Sequence, residues 1–127
     1  MKDKSEVESL EKLIGQLQGL HAEVTSLAKK SPNDAVNAFK LKLINKVIEF
    51  GNQVLGPKYR PFDDFERFDS DDVPSTSDVA MVIGQYMEEA ERYRSDNVEY
   101  YGGEWMYVVD GETSDIPSGP PSKVGRK

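Results

Sequence analysis

Asp69, Asp71 and Asp72 fall within four residues, and a hard cation such as calcium takes several carboxylate oxygens from one tight loop. The spacing does not complete that loop. Counting Asp69 as position one, position five is Val73, position six is Pro74 where such a loop turns on glycine, and position twelve is Ala80. The cluster reads instead as a solvated acidic turn ahead of a helix N-terminus, and a metal-dependent enzyme built on it is only the third of three functional readings. Asp63, Asp64 and Glu66 could pair for acid/base work, but nothing in their spacing lifts them above surface charge. The single histidine, His21, sits mid-helix on the edge of a leucine stripe and reads as a half-buried polar residue at a helix boundary. G-x-S-x-G, H-E-x-x-H and G-x-x-x-x-G-K-[ST] are all absent, and Gly102-Gly103 falls between strands rather than before a helix, so it cradles no phosphate. No catalytic, cofactor or metal residue is assigned, and the reading is a non-enzyme.

Charge layout says more. Residues 61–104 hold 13 acidic side chains against 3 basic ones, whereas residues 1–60 hold 10 basic against 7 acidic. An anionic middle repels nucleic acid and attracts a basic protein, and it could imitate a phosphate field in a nucleic-acid-binding groove. Asp69, Asp71, Asp72, Glu88, Glu89 and Glu91 are the candidate contact residues, set against the plainer role of keeping a small protein in solution. Tyr100, Tyr101, Trp105 and Tyr107 make a second candidate surface, since Trp and Tyr dominate binding hot spots. About half of these rings must be core, and alternation alone allows either the Trp105/Tyr107 set or the Met106/Val108 set to face outward. Lys40, Lys42 and Lys46 along the second helix could meet an anion.

The chain that carries these groups has 127 residues, a formal charge of -7 and no cysteine. Disulfides and thiolate sites are therefore excluded, a reducing compartment is the natural home, and the expected location is the cytoplasm. No apolar run reaches the 18 or so residues of a membrane span, and the start, MKDKSEVE, is too charged for a secretory signal.

The elements follow from periodicity. Leu10, Leu13, Leu17, Leu20, Val24 and Leu27 recur at alternating spacings of three and four, which predicts a helix over about 5–30 with a Ser5/Glu8 capping box. The breadth of that stripe predicts self-association through the helix. Gly15 and Gly19 interrupt it and could let another helix approach closely. Ser31-Pro32 reads as cap and first residue of a second helix over about 32–55, ended by Gly56-Pro57, with Val36, Phe39, Leu43, Val47, Phe50 and Val54 as its main stripe, widened by Leu41, Ile44, Ile48 and Leu55 until little but Lys40, Lys42, Lys46 and Glu49 is left exposed. Phe62, Phe65 and Phe68, three apart, suggest a short helix or 3₁₀ turn laying its rings on this helical hairpin. Ser75 or Ser77 caps a third helix to about 96, with Val79, Val82, Ile83, Tyr86, Ala90 and Tyr93 facing inward. Strands over about 98–101, 104–109 and 112–116 are joined by Gly102-Gly103 and Asp110-Gly111, both two-residue hairpin turns of the primed type. Residues 117–127 have too little apolar content to fold and read as a disordered tail, dispensable for stability.

The fold class is thus α+β: a three-helix N-terminal bundle followed by a three-stranded antiparallel meander, one domain over 1–116. The leading function is a non-enzymatic acidic protein that binds a basic protein partner through its anionic surface and aromatic hairpin. It binds neither nucleic acid directly nor a membrane. The alternative is an oligomer that sequesters a small ligand or nucleotide between subunits, using the Lys face of the second helix with Tyr and Trp. In size, acidity, helical front and lack of catalytic motifs the chain is similar in kind to accessory proteins of phages and mobile elements, including inhibitors of host defence. That likeness is one of composition and no motif carries it.

Overall fold

A computed structural model describes residues 1–125: helices α1 (Lys4–Lys30), α2 (Ala38–Tyr59) and α3 (Thr76–Ser95), then strands β1 (Val98–Tyr101), β2 (Glu104–Val109) and β3 (Glu112–Pro117). The α+β architecture is the one the sequence predicts. Asp3, rather than Ser5, caps α1: its carboxylate accepts from Glu6 N at 3.0 Å, and the Glu6 side chain reaches back to Lys2 N at 2.8 Å. The leucine stripe is buried as expected, with Val7, Leu10, Leu13, Leu17 and Val24 all in the core against α2 and α3. That face of α1 is therefore covered within the chain. Nothing approaches within 4 Å of a Cβ built on Gly15 or Gly19, so neither glycine serves a close helix contact.

The second helix departs from expectation at its start and in the facing of its first turns. Residues 34–36 leave helical geometry to pair with the segment before α3: Ala35 bridges Ser75, Val36 N donates to Pro74 O at 3.1 Å, and Thr76 N donates to Asp34 O at 2.9 Å. Two loops satisfying each other's backbone groups outweigh one extra turn of helix. Asn37 then provides the cap, accepting from Lys40 N at 2.8 Å. From Ala38 onward the buried ridge is Leu41, Ile44, Ile48, Gly51 and Leu55, while Phe39 is 72% and Leu43 is 42% exposed. Of the expected main stripe Val36 is buried and Val47, Phe50 and Val54 pack partly buried on the core, Phe39 and Leu43 are turned outward, and the expected widening residues Leu41, Ile44, Ile48 and Leu55 form the buried ridge. Gly56, at φ 63°, ends the regular helix as the Gly-Pro pair implied, and one further turn runs to Tyr59. Gly51 is the glycine that matters for packing: a Cβ there would lie 3.1 Å from the Tyr86 ring of α3.

Between α2 and α3 there is no helix. Phe62, Phe65 and Phe68 nonetheless pack partly buried on the core, each ring edge-on to the next at 6.1 and 5.2 Å. Their backbone is held by α2 side chains. Asn45 donates to Phe68 O at 3.0 Å and accepts from Phe68 N at 2.9 Å, and Asn52 donates to Phe65 O at 3.1 Å. Side-chain amides here supply the partners that a helix would have supplied internally. Ser75 caps α3, whose inward stripe is Val79, Val82, Ile83, Tyr86 and Ala90, with Tyr93 stacked on Tyr59 at 4.6 Å.

The sheet order is β1-β2-β3, with Tyr100 opposite Trp105 and Val98 opposite Tyr107. Both hairpin turns have positive φ at both central residues, 63° and 89° at Gly102-Gly103 and 53° and 76° at Asp110-Gly111. After Pro117 the chain runs back against α3. Ser118 N donates to Trp105 O at 2.8 Å, and Arg94 of α3 gathers Ser118 Oγ, Gly119 O and Pro120 O at 2.7–2.9 Å. Arginines that collect backbone carbonyls hold this strap without apolar burial. Arg126 and Lys127 of the expected tail lie outside the described residues.

Candidate functional site

Two acidic groups that look continuous in sequence are separated by the fold and differ in charge balance. Glu88 lies about 18 Å along α3 from Thr76, at 1.5 Å per residue, whereas Asp69, Asp71 and Asp72 lie in the loop before that helix. Glu88 pairs with Arg92 at 3.8 Å and with Lys123 at 2.8 Å. Glu89 is 7% exposed and pairs with Arg92 at 2.7 Å, so it is part of the packed helix rather than of an accessible face. Glu91 meets Arg94 at 2.5 Å and accepts from Ser122 Oγ at 2.5 Å. The hydrogen bonds from Arg94 hold the Glu91 carboxyl below the usual glutamate range. These α3 carboxylates are answered within the chain.

The loop carboxylates are not. Asp63, Asp64, Asp69, Asp71 and Asp72 are all exposed, and among the described residues no lysine or arginine forms an ion pair with any of them. Glu66 is the loop's paired acid, 3.4 Å from Arg60. Asp69 folds back to accept from Asp71 N at 2.8 Å, which shapes the turn and leaves its outer face open. The backbone under these groups is fixed by Asn45, Asn52 and Arg60, the last donating to Phe65 O at 2.9 Å. Five like charges therefore stand on a braced scaffold. Among the described residues no three of His, Asp and Glu are grouped so as to hold a metal ion.

The aromatic candidates divide. Tyr100 and Tyr101 are 63% and 66% exposed, Trp105 is half-buried with Tyr100 edge-on at 5.6 Å, and Tyr107 is fully buried against the helices. Tyr107 is therefore withdrawn from any contact surface, and the Trp105/Tyr107 face is the inner one. The Tyr107 hydroxyl donates to Glu11 of α1, and burial, aided by that carboxylate, raises its pKa above the ordinary phenol range. Of the α2 lysines, Lys40 pairs with Glu23 at 3.0 Å, while Lys42 and Lys46 line a groove with Arg67 and Val73.

Sequence reasoning missed Asn45 and Asn52, whose signal was two amides seven apart beside an apolar ridge. It also missed Arg94, whose role depends on a strap with no motif of its own. No helix among the described residues is long and apolar enough to cross a membrane. Comparison with known proteins finds no matching family model, no similar curated protein and no similar solved structure.

Proposed function

We propose that the chain is a non-enzymatic binding protein that offers the acidic loop of residues 61–72 to a basic surface on a protein partner. The observation that supports this is the contrast in compensation: Glu88, Glu89 and Glu91 of α3 have cationic partners in the chain, while among the described residues the five loop aspartates have none. Uncompensated charge on a braced backbone speeds encounter with an opposite surface and costs little ordering on binding. The exposed Tyr100 and Tyr101 provide a second, aromatic contact. A nucleic-acid-binding protein is the partner class whose surface is most strongly basic, and the loop then stands in for phosphates.

The test is capture of the partner from the native cell by crosslinking and mass spectrometry, followed by affinity measurement on the purified pair. Asp69→Lys, Asp71→Lys and Asp72→Lys together weaken binding at least about tenfold, with affinity falling as salt rises. Affinity within about twofold and flat in salt leaves the loop with a solubility role only.

A second reading, sequestration of a small anion, is favoured by the groove of about 450 Å³ where Lys42, Lys46 and Arg67 converge. Arg67 already meets Glu49 at 3.4 Å, which weakens the case. Thermal shift with nucleotides tests it directly.

A further inference from the structure

Lys42, Lys46, Glu49, Arg67 and Ser70 line the groove of about 450 Å³ between α2 and the loop before α3. Lys42 and Lys46 stand one helical turn apart and reach to the same side of α2, and among the described residues neither forms an ion pair. Arg67 comes from the loop, and Glu49, 3.4 Å from it, is the one carboxylate of the lining. Three cations thus meet one anion. Ser70 is exposed, and it also lines an adjoining hollow of about 320 Å³ with Arg67 and Asp69. Its hydroxyl has no hydrogen-bond partner among the described residues, while the backbone two residues before it is pinned to α2 by both bonds of Asn45. The serine is therefore held beside the cations with its oxygen free.

We propose that Ser70 is a phosphorylation site and that Lys42, Lys46 and Arg67 receive its phosphate. This rests on the reading of the groove as an anion site, and it names the anion as one the chain itself carries. A free nucleotide must cross the field of Asp69, Asp71 and Asp72 and compete with Glu49 for Arg67. An ester on Ser70 is already part of the lining, at an effective concentration on the order of millimolar. Its nearly double negative charge and three acceptor oxygens suit two ammonium groups and a guanidinium. The aspartates that turn a free anion away draw a basic enzyme surface to the serine, so the modifying enzyme is a protein kinase with a cationic substrate groove. In the transfer Ser70 Oγ attacks the γ-phosphorus of ATP, the new Oγ–P bond replaces the bond to the ADP oxygen, the hydroxyl proton passes to a base of the kinase, and ADP leaves. Docked in the groove, the phosphate ties the loop to α2.

Phosphoserine is placed at position 70 of the full-length chain by amber suppression, and its phosphate is titrated by phosphorus NMR. The expected pKa is about 5–5.5 instead of the ordinary value near 6, because the three cations favour the dianion by more than the neighbouring aspartates oppose it. Lys42→Ala with Lys46→Ala returns it to about 6 or above, and the wild-type titration alone decides the point if that variant does not fold. In parallel, the unmodified chain is incubated with ATP and an extract of its native cells, and mass spectrometry is expected to place phosphate on Ser70 and to find that site silent in Ser70→Ala. A phosphate pKa of about 6 or above in the otherwise wild-type chain, or no phosphate on Ser70 after incubation, overturns the proposal. If either failure comes with a thermal shift on adding nucleotide, this inference falls alone and the free-anion reading of the groove stands.

Discussion

The Tyr107 hydroxyl donates a hydrogen bond to the Glu11 carboxylate, joining the middle strand of the sheet to the first helix across 96 residues of sequence. A fully buried ring with its polar tip on a charged acceptor fixes how the sheet sits on the bundle. Tyr107→Phe keeps the ring and loses the bond, so it costs about 1–2 kcal/mol, while Tyr107→Ala opens a cavity and costs about 3–5 kcal/mol. Urea unfolding of both variants checks the ordering.

Burial raises the pKa of Tyr86, to about 12, and also those of Tyr93 and Tyr107. Below the ordinary phenol value near 10 these groups are protonated in both states and their contribution to stability is complete. As pH rises past about 10 the unfolded chain ionises first, so stability falls until the raised values are passed. Unfolding midpoints at pH 8, 10 and 11 should decline slightly over the first interval and steeply over the last. A flat profile would show that these phenols are not held protonated by the fold.

Gly15 and Gly19 lie on the exposed side of α1 with open space where a Cβ would go. Each Gly→Ala change should stabilise by about 0.5–1 kcal/mol, through helix propensity and the smaller entropy of the unfolded chain. Thermal melts of the single and double variants read this, and additivity is expected because the two side chains touch nothing in common.

Asn45 both donates to and accepts from the Phe68 backbone. Asn45→Asp retains the acceptor but sets a carboxylate against Phe68 O, so the loop loses its brace at a cost of about 1–3 kcal/mol. Limited chymotrypsin digestion should then cut at Phe65 and Phe68 sooner than in the wild type. Unchanged cleavage would mean that the ring packing alone orders the segment.

Removing residues 118–127 takes away the Ser118, Gly119 and Pro120 acceptors of Arg94 and leaves that arginine with Glu91. A chain ending at Pro117 should melt several degrees lower, as expected for a loss of about 1–2 kcal/mol in a domain of this size. A melt within one degree would show that the strap adds no net stability.

The sequence spoke clearly where one side chain decides one feature. The leucine spacing of α1, the Ser75 cap and the glycine turns of the meander are of that kind, because a helix stripe, an orphan amide and a positive φ each admit few solutions. It was ambiguous for α2, which is apolar on nearly every side: periodicity could not tell the Leu41/Ile44/Ile48 ridge from the Phe39/Leu43 face, and the displaced start at Asn37 turns on pairing with a loop 40 residues away. Alternation likewise left two equal faces for the sheet until Tyr107 met Glu11. The docked strap was invisible, because arginines binding main-chain carbonyls leave no pattern in the segment they hold. Of the candidate contacts, the loop aspartates stayed exposed, while Glu89 and Tyr107 went inside.

The bridge between Ala35 and Ser75 makes α2 and its braced loop a ring of about 40 residues closed by main-chain pairing, whose closure entropy grows only slowly with length. A ring shut at one point is released at one point. Loss of that pairing frees both ends of the segment together, so the amides of residues 35–75 outside the central α2 ridge should exchange with solvent as one cooperative unit.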